Sequence, residues 1–395
     1  MILTLNNPVR DYAWGSTTLL PDLLGTPPTG RPQAELWIGA HPAASSVVTG
    51  GPQAGTSLHE LIAADPDHVL GADVAATYGP RLPFLLKVLA IAQPLSIQAH
   101  PSAAQAEEGY AAEDAAGVPT DAPHRSYRDP YHKPEMVVAL SEFEALLGWS
   151  EPDIAADRLA GLEVDRLTSV VDGVRAGALS AALTELFALP EPEVGALVEA
   201  VTEAARRDPH LYDLVLRLAE FYPGDLGIVL ALLLEPARLE SGQAVFVPDG
   251  VPHAYLSGLA VEVQASSDNT LRAGLTGKHV APERLMRVLE FGPLAAVPVI
   301  AHEVSPGRVD YPVAGVEEFA LSRVNPGEAD VPLPADGPWS VLCVEGQVTV
   351  ATDPDDGEDA SSLSLGPGQA GFIPAGQHPS RVGGPGVAYV VTVPS

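Results

Sequence analysis

Short apolar runs broken by proline and glycine fill the first part of the chain, up to about residue 149. Two examples are PFLLKVLAI at residues 83–91 and PLSIQAHP at residues 94–101. Runs of this length between turn-forming residues predict β-strands joined by turns. An alanine-rich stretch after Pro101 predicts a helix that interrupts the strands.

From about residue 150 to residue 240 the apolar residues recur at helical spacing, in segments bounded by proline, glycine or aspartate. These segments are IAADRLAGL, ALSAALTELFAL, VGALVEAVTEAARR and HLYDLVLRLAEFY. The spacing predicts a helical insertion. The strand-and-turn pattern returns at about Leu239 and lasts to the end of the chain, across a bridge rich in proline and glycine at residues 292–298.

A repeat marks this last part of the chain. Gly242 opens GQAVFVPDGVPHAYL, and 126 residues later Gly368 opens GQAGFIPAGQHPSRV. Both copies contain Gly, five residues, Pro, one residue and Gly, which is typical of strand, tight turn and strand at the edge of a β-barrel. The first copy resembles the second motif of the cupin family, and His253 occupies the place of that motif's histidine. In the second copy His378 comes one residue early, which turns a strand side chain to the opposite face.

The resemblance implies a mainly β fold with two cupin-like jelly-roll barrels and an α-helical insertion. We expect a catalytic barrel from residues 1–149 together with 241–291, a helical domain at residues 150–240, and a C-terminal barrel without metal at residues 292–395. At 395 residues the chain is long enough for more than one hydrophobic core.

Charge and composition exclude several classes of partner. The chain has 51 acidic and 21 basic residues, a formal net charge of -30 at pH 7, and such a field repels nucleic acid and anionic membrane surfaces. The first twenty residues show neither a signal peptide nor an anchor, and the longest apolar run, Leu226–Leu234, is too short to span a bilayer. We therefore predict a cytoplasmic protein. The single cysteine, Cys343, fits a reducing compartment.

The acidic field would also repel a phosphorylated substrate, so a phosphate site requires a local group of basic residues. Only three of the 21 basic residues are lysines, namely Lys87, Lys133 and Lys278. Each lies in a segment that carries other candidate residues, where a compact charge on a flexible stem has a use.

The spacing of polar residues predicts a metal site. Gln98 and His100 are two residues apart in an extended run, as are Lys133 and Glu135, so each pair shares one face of a strand. His253 adds a second imidazole at the barrel turn. Two imidazoles, a carboxylate and an amide suit zinc best, with manganese or cobalt as substitutes. The spacing alone equally allows a surface histidine and a strand-edge ion pair.

Three longer runs resemble type I mannose-6-phosphate isomerases. They are PFLLKVLAIAQPLSIQAHPS, YRDPYHKPEMVVAL and VPDGVPHAYLSGLAVEVQASSDNTLRAGLTGKHV, and YAWGS near the N-terminus also fits. The resemblance spans most of the chain and is weak after about Phe291. It implies that Gln98, His100, Glu135 and His253 bind one zinc ion per chain and that Arg272 is the active-site arginine.

The resemblance also implies a reaction, the interconversion of mannose 6-phosphate and fructose 6-phosphate through an enediol or enediolate. Candidate acid and base groups in the matched runs are His132, Lys133, Glu262 and Asp268. Our hypothesis is that Lys133 with His132 moves the proton between C1 and C2, while Asp268 assists ring opening.

The remaining polar groups of the matched runs are candidates for substrate binding. Lys87, Ser96 and Lys278 are predicted to bind the phosphate, and Tyr255 and Trp14 to line the sugar pocket. Members of this family look monomeric, so we expect a monomer whose partner is a small sugar phosphate.

Two other functions are compatible with a cupin-type metal site. One is a non-haem metal oxygenase, although its first motif strand would carry His-x-His where this chain has Gln98. The other is a catalytically inactive sugar-binding cupin, which predicts loss of ligands or of the arginine. Another phosphorylated aldose could also be the substrate.

Overall fold

The structure is a computed structural model and describes residues 1–292, 297–333, 337–352, 361–376 and 380–394. Antiparallel β-strands form most of it, and their bounds are as follows. The strands are β1 (Leu3–Asn6), β2 (Val9–Arg10), β3 (Glu35–Ile38), β4 (Val47–Val48), β5 (Phe84–Ile91), β6 (Ile97–Ala99), β7 (Glu135–Ala139), β8 (Phe143–Trp149), β9 (Leu234–Leu239), β10 (Ala244–Val247), β11 (His253–Ala265), β12 (Leu271–Gly274), β13 (Val297–Val299), β14 (His302–Ser305), β15 (Arg308–Tyr311), β16 (Ala320–Val324), β17 (Val331–Leu333), β18 (Trp339–Glu345), β19 (Val348–Thr352), β20 (Ser361–Leu365), β21 (Ala370–Ile373), β22 (Ser380–Gly383) and β23 (Val387–Thr392).

Helices occur before, within and after the predicted insertion. They are α1 (Leu19–Leu24), α2 (Leu58–Ala64), α3 (Pro66–Leu70), α4 (Ala72–Tyr78), α5 (Ala103–Ala115), α6 (Pro152–Ala160), α7 (Thr168–Arg175), α8 (Leu179–Phe187), α9 (Glu191–Ala205), α10 (Asp213–Phe221), α11 (Gly227–Ala231) and α12 (Pro282–Val288). None of the described helices is long and apolar enough to cross a lipid bilayer.

The helices α5, α6, α8, α9 and α10 lie where the apolar spacing predicts them. Within the insertion α7 and α11 lie outside the predicted segments, and neither α12 nor α1 to α4 were predicted. Each of these four helices has seven residues or fewer, which is too short for a helical period to show in the apolar pattern. Two of them have a local signal in a side-chain cap. At α2 the Ser57 hydroxyl accepts from the Glu60 N–H and the Glu60 carboxylate accepts from the Ser57 N–H, and at α3 the Asp65 carboxylate accepts from the His68 N–H.

The strand β11 joins the two sheets of the first β unit. From Gly258 onward it pairs with β5 and β7, in a sheet of order β13-β10-β7-β11-β5-β3-β2. Before Gly258 it pairs with β6 and β8, which continue to β12 and β9. Buried apolar residues from both sheets pack between them, among them Leu89, Val137 and Phe143. The two layers thus enclose one core.

A second β unit consists of an eight-stranded sheet, β14-β15-β16-β23-β18-β21-β1-β4, and a four-stranded sheet, β17-β22-β19-β20. Trp339, Val350 and Val382 belong to the core that packs between them. Within the described residues none of the sheets closes on itself, so each unit is a pair of facing layers. This arrangement confirms the predicted fold class, mainly β with two cupin-like units and a helical insertion.

Strand pairing crosses the boundaries of the predicted domains. The N-terminal strand β1 pairs with β21, and β13 pairs with β10 of the first unit. The division into residues 1–149 with 241–291, 150–240 and 292–395 stays a prediction. His378, on which the prediction for the second motif copy depends, lies outside the described residues.

An ion bridge also connects the two β units. The His132 imidazole lies with Nδ1 3.3 Å from Asp249 Oδ2 and with Nε2 2.7 Å from Glu318 Oε1. The hydrogen bonds to Asp249 and Glu318 outweigh the effect of burial and raise the pKa of His132 to about 10. The protonated ring therefore ties the turn before β11 to the segment before β16.

We predict that Gly258→Ala destabilises the fold, because β11 changes sheets there. Gly258 has a φ of 117°, and an added Cβ would lie 2.5 Å from Glu142 O and 2.9 Å from Phe143 Cα. We expect a loss of about 2 kcal/mol, measured as a lower thermal midpoint. Gly195→Ala in α9 is the control, since its Cβ meets nothing within 4 Å, and it should stabilise slightly. Equal midpoints for the two variants would contradict the prediction.

The His132 bridge should make stability depend on pH in the alkaline range. Because the pKa in the folded state, about 10, lies above the ordinary 6.5, the bridge stabilises fully below pH 6.5 and is lost as the pH rises through 10. The difference in thermal midpoint between the wild type and His132→Gln should shrink over that range. The same substitution at the exposed His68 is the control, and a difference that stays constant with pH would argue against the bridge.

Candidate active site

Three buried side chains from separate strands converge in the first β unit. They are His100, which follows β6, Glu135, which begins β7, and His253, which begins β11. Glu135 Oε2 lies 3.4 Å from His100 Nε2 and 3.3 Å from His253 Nε2. All three are at most 1% exposed. The structure thus brings these three side chains together, which the spacing of residues in the sequence could not establish.

Strand register brings the other predicted residues to the same place. Gln98 of β6 is the register partner of His253 on one side and of Arg272 on the other. The side-chain amide nitrogen of Gln98 lies 3.3 Å from His253 Nε2. If the side-chain amide of Gln98 is flipped, its oxygen takes the place of this nitrogen, because the two orientations of an amide fill the same space.

Backbone carbonyl groups orient both imidazoles. His100 Nδ1 donates to Asn269 O at 2.6 Å, and His253 Nδ1 donates to Val251 O at 3.0 Å. A carbonyl oxygen only accepts, so the hydrogen of each neutral ring is on Nδ1, and the lone pair on Nε2 points at Glu135. Burial lowers the pKa of His100 to about 4, which keeps this ring neutral at neutral pH.

The group fits a divalent cation. His100 Nε2 and Glu135 Oε2 are buried and make no hydrogen bond, which is costly unless another ligand completes them. Their separations match about 3.4 Å, the ligand spacing that bonds of about 2.1 Å give around a tetrahedral cation. The set contains two nitrogens and carboxylate and amide oxygens, so it suits zinc.

A cavity of about 930 Å³ opens above this group. Its lining includes most of the residues predicted for the site, namely Trp14, Lys87, Ser96, Gln98, Lys133, Glu135, Tyr255, Glu262, Asp268, Arg272 and Lys278. His132 does not line it, because its ring lies in the bridge between Asp249 and Glu318. The structure therefore does not place His132 in the cavity with Lys133, as our hypothesis for the proton transfer required.

Two lysines of the cavity are held by carboxylates. Lys133 Nζ lies 2.9 Å from Glu135 Oε1, and Lys87 Nζ lies 2.9 Å from Glu262 Oε2 and also contacts Gln264. Burial would lower the pKa of Lys87, but Glu262, Glu35 and Glu135 raise it above its ordinary value. The Lys87 ammonium is thus already compensated.

Asp268 faces the cavity as an ionised carboxylate. Its Oδ1 lies 3.3 Å from His41 Nε2. Burial would raise the pKa of Asp268, but His41, Lys133 and Lys87 together lower it to about 2. His41 was not predicted as a site residue, because its position in the sequence shows no ligand-like spacing.

A group of three cations lies on the solvent side of the cavity, comprising Arg128, Arg272 and Lys278. Within the described residues none of the three comes within 4.0 Å of a carboxylate oxygen. Burial and the charge of Arg128 lower the pKa of Arg272, and burial, Arg272 and Arg128 lower that of Lys278. Arg128 was not predicted, although it lies in the same motif run as Lys133. Its positive charge contrasts with the acidic balance of the whole chain and suits an anion.

Comparisons with known proteins agree with this geometry. Residues 2–151 match the model of the phosphomannose isomerase type I catalytic domain. The chain is 37% identical over 389 residues to the mannose-6-phosphate isomerase of Escherichia coli strain K12, covering 97% of each chain, and equally so to that of Salmonella typhimurium.

Solved structures give the same result. A zinc-bound mannose 6-phosphate isomerase is 34% identical, with a TM-score of 0.88 over 100% of both chains. A mutant phosphomannose isomerase from Salmonella typhimurium is also 34% identical, with a TM-score of 0.88 over 100% of both chains. With sequence, fold and metal-ligating group in agreement, the chain belongs to the type I mannose-6-phosphate isomerase family.

Proposed function

We propose that this protein is a zinc-dependent isomerase that interconverts mannose 6-phosphate and fructose 6-phosphate. The observation that carries the proposal is that a buried metal-ligating group and three uncompensated cations line the same cavity. The metal-ligating group would act at the reactive carbons of the sugar, and the cations would attract its phosphate. That the protein is cytoplasmic and monomeric stays a prediction.

His100, Glu135 and His253 would hold the zinc ion, one per chain, with the amide oxygen of Gln98 as a fourth ligand. The related structure that holds zinc supports this choice of metal. When bound, the ion supplies a positive charge that stabilises negative charge developing on sugar oxygens.

Ring opening needs a group that takes the proton of the O1 hydroxyl and a proton for the ring oxygen. Asp268 suits the first role, because its lowered pKa keeps the carboxylate ionised at neutral pH and it lines the cavity. His41 would orient the Asp268 carboxylate from behind.

Isomerisation then breaks the C2–H bond, whose electron pair forms the C1–C2 double bond while O1 gains negative charge. Protonation at C1, with transfer of the hydroxyl proton from O2 to O1, yields the ketose. Lys133 is our assignment for the proton transfer between carbons, because it lines the cavity and its Nζ contacts the metal-ligating Glu135, whereas Lys87 contacts Glu262 and Gln264. Glu262 is engaged in the same pair, and His132 lies outside the cavity. Arg272 would stabilise the enediolate oxygen.

Two members of the cation group, Lys278 and Arg128, would bind the phosphate. Lys278 and Arg128 lie beside Arg272 without a carboxylate partner in the described part of the chain, so a dianionic phosphate would gain their attraction without breaking a pair seen there. Lys87 suits this role less well than the sequence suggested, because a phosphate would compete with Glu262. Ser96 lines the cavity beside Gln98, where its hydroxyl could bind substrate.

Two aromatic residues would contact the sugar. Tyr255 lines the cavity, and its buried hydroxyl has no hydrogen-bond partner among the described residues, so it would be available to a sugar hydroxyl that reached it. Trp14 stacks on Tyr12 at a centroid distance of 5.8 Å and offers its ring to the cavity.

The proposal predicts that activity and zinc content are lost together. Incubated with mannose 6-phosphate, the protein should form fructose 6-phosphate, and a chelator should reduce the rate on the order of 100-fold, with recovery on adding zinc. His253→Ala should lose zinc and activity, while His302→Ala, on an exposed edge strand, should keep both. Bound iron with oxygen consumption would favour an oxygenase, and a zinc-loaded protein without turnover would favour a sugar-binding cupin.

We predict that Lys278 contributes mainly to substrate binding and Arg272 mainly to catalysis. Lys278→Ala should raise KM for mannose 6-phosphate about tenfold and leave zinc content unchanged, because it removes a phosphate contact. Arg272→Ala should lower kcat more than it raises KM, because its charge acts on the transition state. Arg238→Ala, which breaks an exposed ion pair, is the control. An unchanged KM in Lys278→Ala would contradict the phosphate assignment.

A further inference from the structure

We propose that Asp225, in the helical insertion, is a positioning residue that holds the phosphate-binding loop of the cavity in shape. The loop consists of residues 275–278, which follow β12 and line the cavity. The inference rests on the proposed function in one respect, that Lys278 of this loop binds the phosphate. Asp225 itself does not line the cavity, so its effect must pass through the loop.

The Asp225 carboxylate accepts hydrogen bonds from three backbone N–H groups. Oδ1 accepts from Gly227 at 2.7 Å and from Leu275 at 2.8 Å, and Oδ2 accepts from Thr276 at 3.1 Å. One side chain thus binds the turn before α11 and the loop after β12 at once. Hydrogen bonds to an ionised acceptor are stronger than those between neutral groups.

The loop needs such a restraint, because its backbone is in an unfavourable conformation. Leu275 has a φ of 54°, in the left-handed region that a leucine rarely adopts. Its side chain is 1% exposed and packs into the core shared with the insertion. Burial of this side chain and the bond from its N–H to Asp225 together offset the strain.

The insertion and the loop also approach each other directly through their backbones. A Cβ added at Gly274 would lie 2.6 Å from Gly227 Cα, and one added at Gly227 would lie 2.5 Å from Leu275 N. Only glycine fits at both positions. The place of the loop is therefore set by the segment that carries Asp225, and not by the β unit alone.

Beyond the residues bound by Asp225, the loop continues to Lys278. The Thr276 hydroxyl accepts from the Lys278 N–H at 3.0 Å, and the Lys278 ammonium lies 5.9 Å from the centre of the Tyr12 ring. The same turn of the insertion restrains a second cavity segment, since the Tyr222 hydroxyl donates to Pro94 O at 2.6 Å. Tyr222 itself lines the cavity. The insertion thus shapes the substrate end, while the metal-ligating residues lie on β strands and their ends.

Loss of the Asp225 carboxylate should therefore weaken phosphate binding and spare the metal group. In Asp225→Ala we expect KM for mannose 6-phosphate and the dissociation constant of inorganic phosphate to rise about tenfold, with kcat and zinc content within about twofold of the wild type. Asp225→Asn keeps the acceptor for Gly227 and Leu275 and loses the one for Thr276. Its KM and its dissociation constant for phosphate should therefore lie between those of the wild type and those of Asp225→Ala.

Calorimetric titration of the zinc-loaded protein with inorganic phosphate measures binding without turnover. If the wild type binds phosphate but does not isomerise the sugar, the proposed function fails while the role of Asp225 is still tested. Asp213→Ala is the matched control, since it removes an exposed carboxylate of the same insertion that pairs with Arg217. Wild-type phosphate affinity in folded Asp225→Ala would overturn the inference, and if that variant does not fold, wild-type affinity in Asp225→Asn would do so.

Discussion

The whole site depends on the burial of one carboxylate, that of Glu135. Burial by itself would raise the pKa of Glu135, yet the Lys133 ammonium beside it lowers this pKa well below its ordinary value. One oxygen contacts Lys133, and the other faces Nε2 of His100 and of His253 and has no hydrogen-bond partner among the described residues. A carboxylate in such a place needs a cation, so the fold that buries Glu135 also creates a metal site.

The strand register that produces this group also distributes the other functions. Because β11 changes sheets at Gly258, it carries His253 beside β6 and Glu262 beside β5. Gln98 lies between His253 and Arg272 across three neighbouring strands. The metal-ligating group and the cavity arginine are thus placed by main-chain hydrogen bonds, which tolerate little displacement.

Charge is divided between the surface and the cavity. The chain is strongly acidic, yet Arg128, Arg272 and Lys278 lie at one end of the cavity with no carboxylate partner among the described residues. Lys87 and Lys133 are paired deeper inside. In the proposed function the phosphate binds at this end, and the carbons of the sugar lie near the metal-ligating group. The insertion keeps the loop of Lys278 in place through Asp225.

The sequence by itself determined the mainly β class and the longer helices of the insertion, because apolar periodicity is a local property of the chain. Spacing left the metal site open, and it was the resemblance of the motif runs to a known family that pointed to Gln98, His100, Glu135 and His253. The sequence did not indicate α1 to α4, which are too short to show a period. Only the tertiary structure decided that His132 faces Asp249 and Glu318, that His41 meets Asp268, and that Lys87 is already paired. These contacts join residues far apart in the chain, and no local pattern records which distant side chain will lie opposite another once the strands have paired.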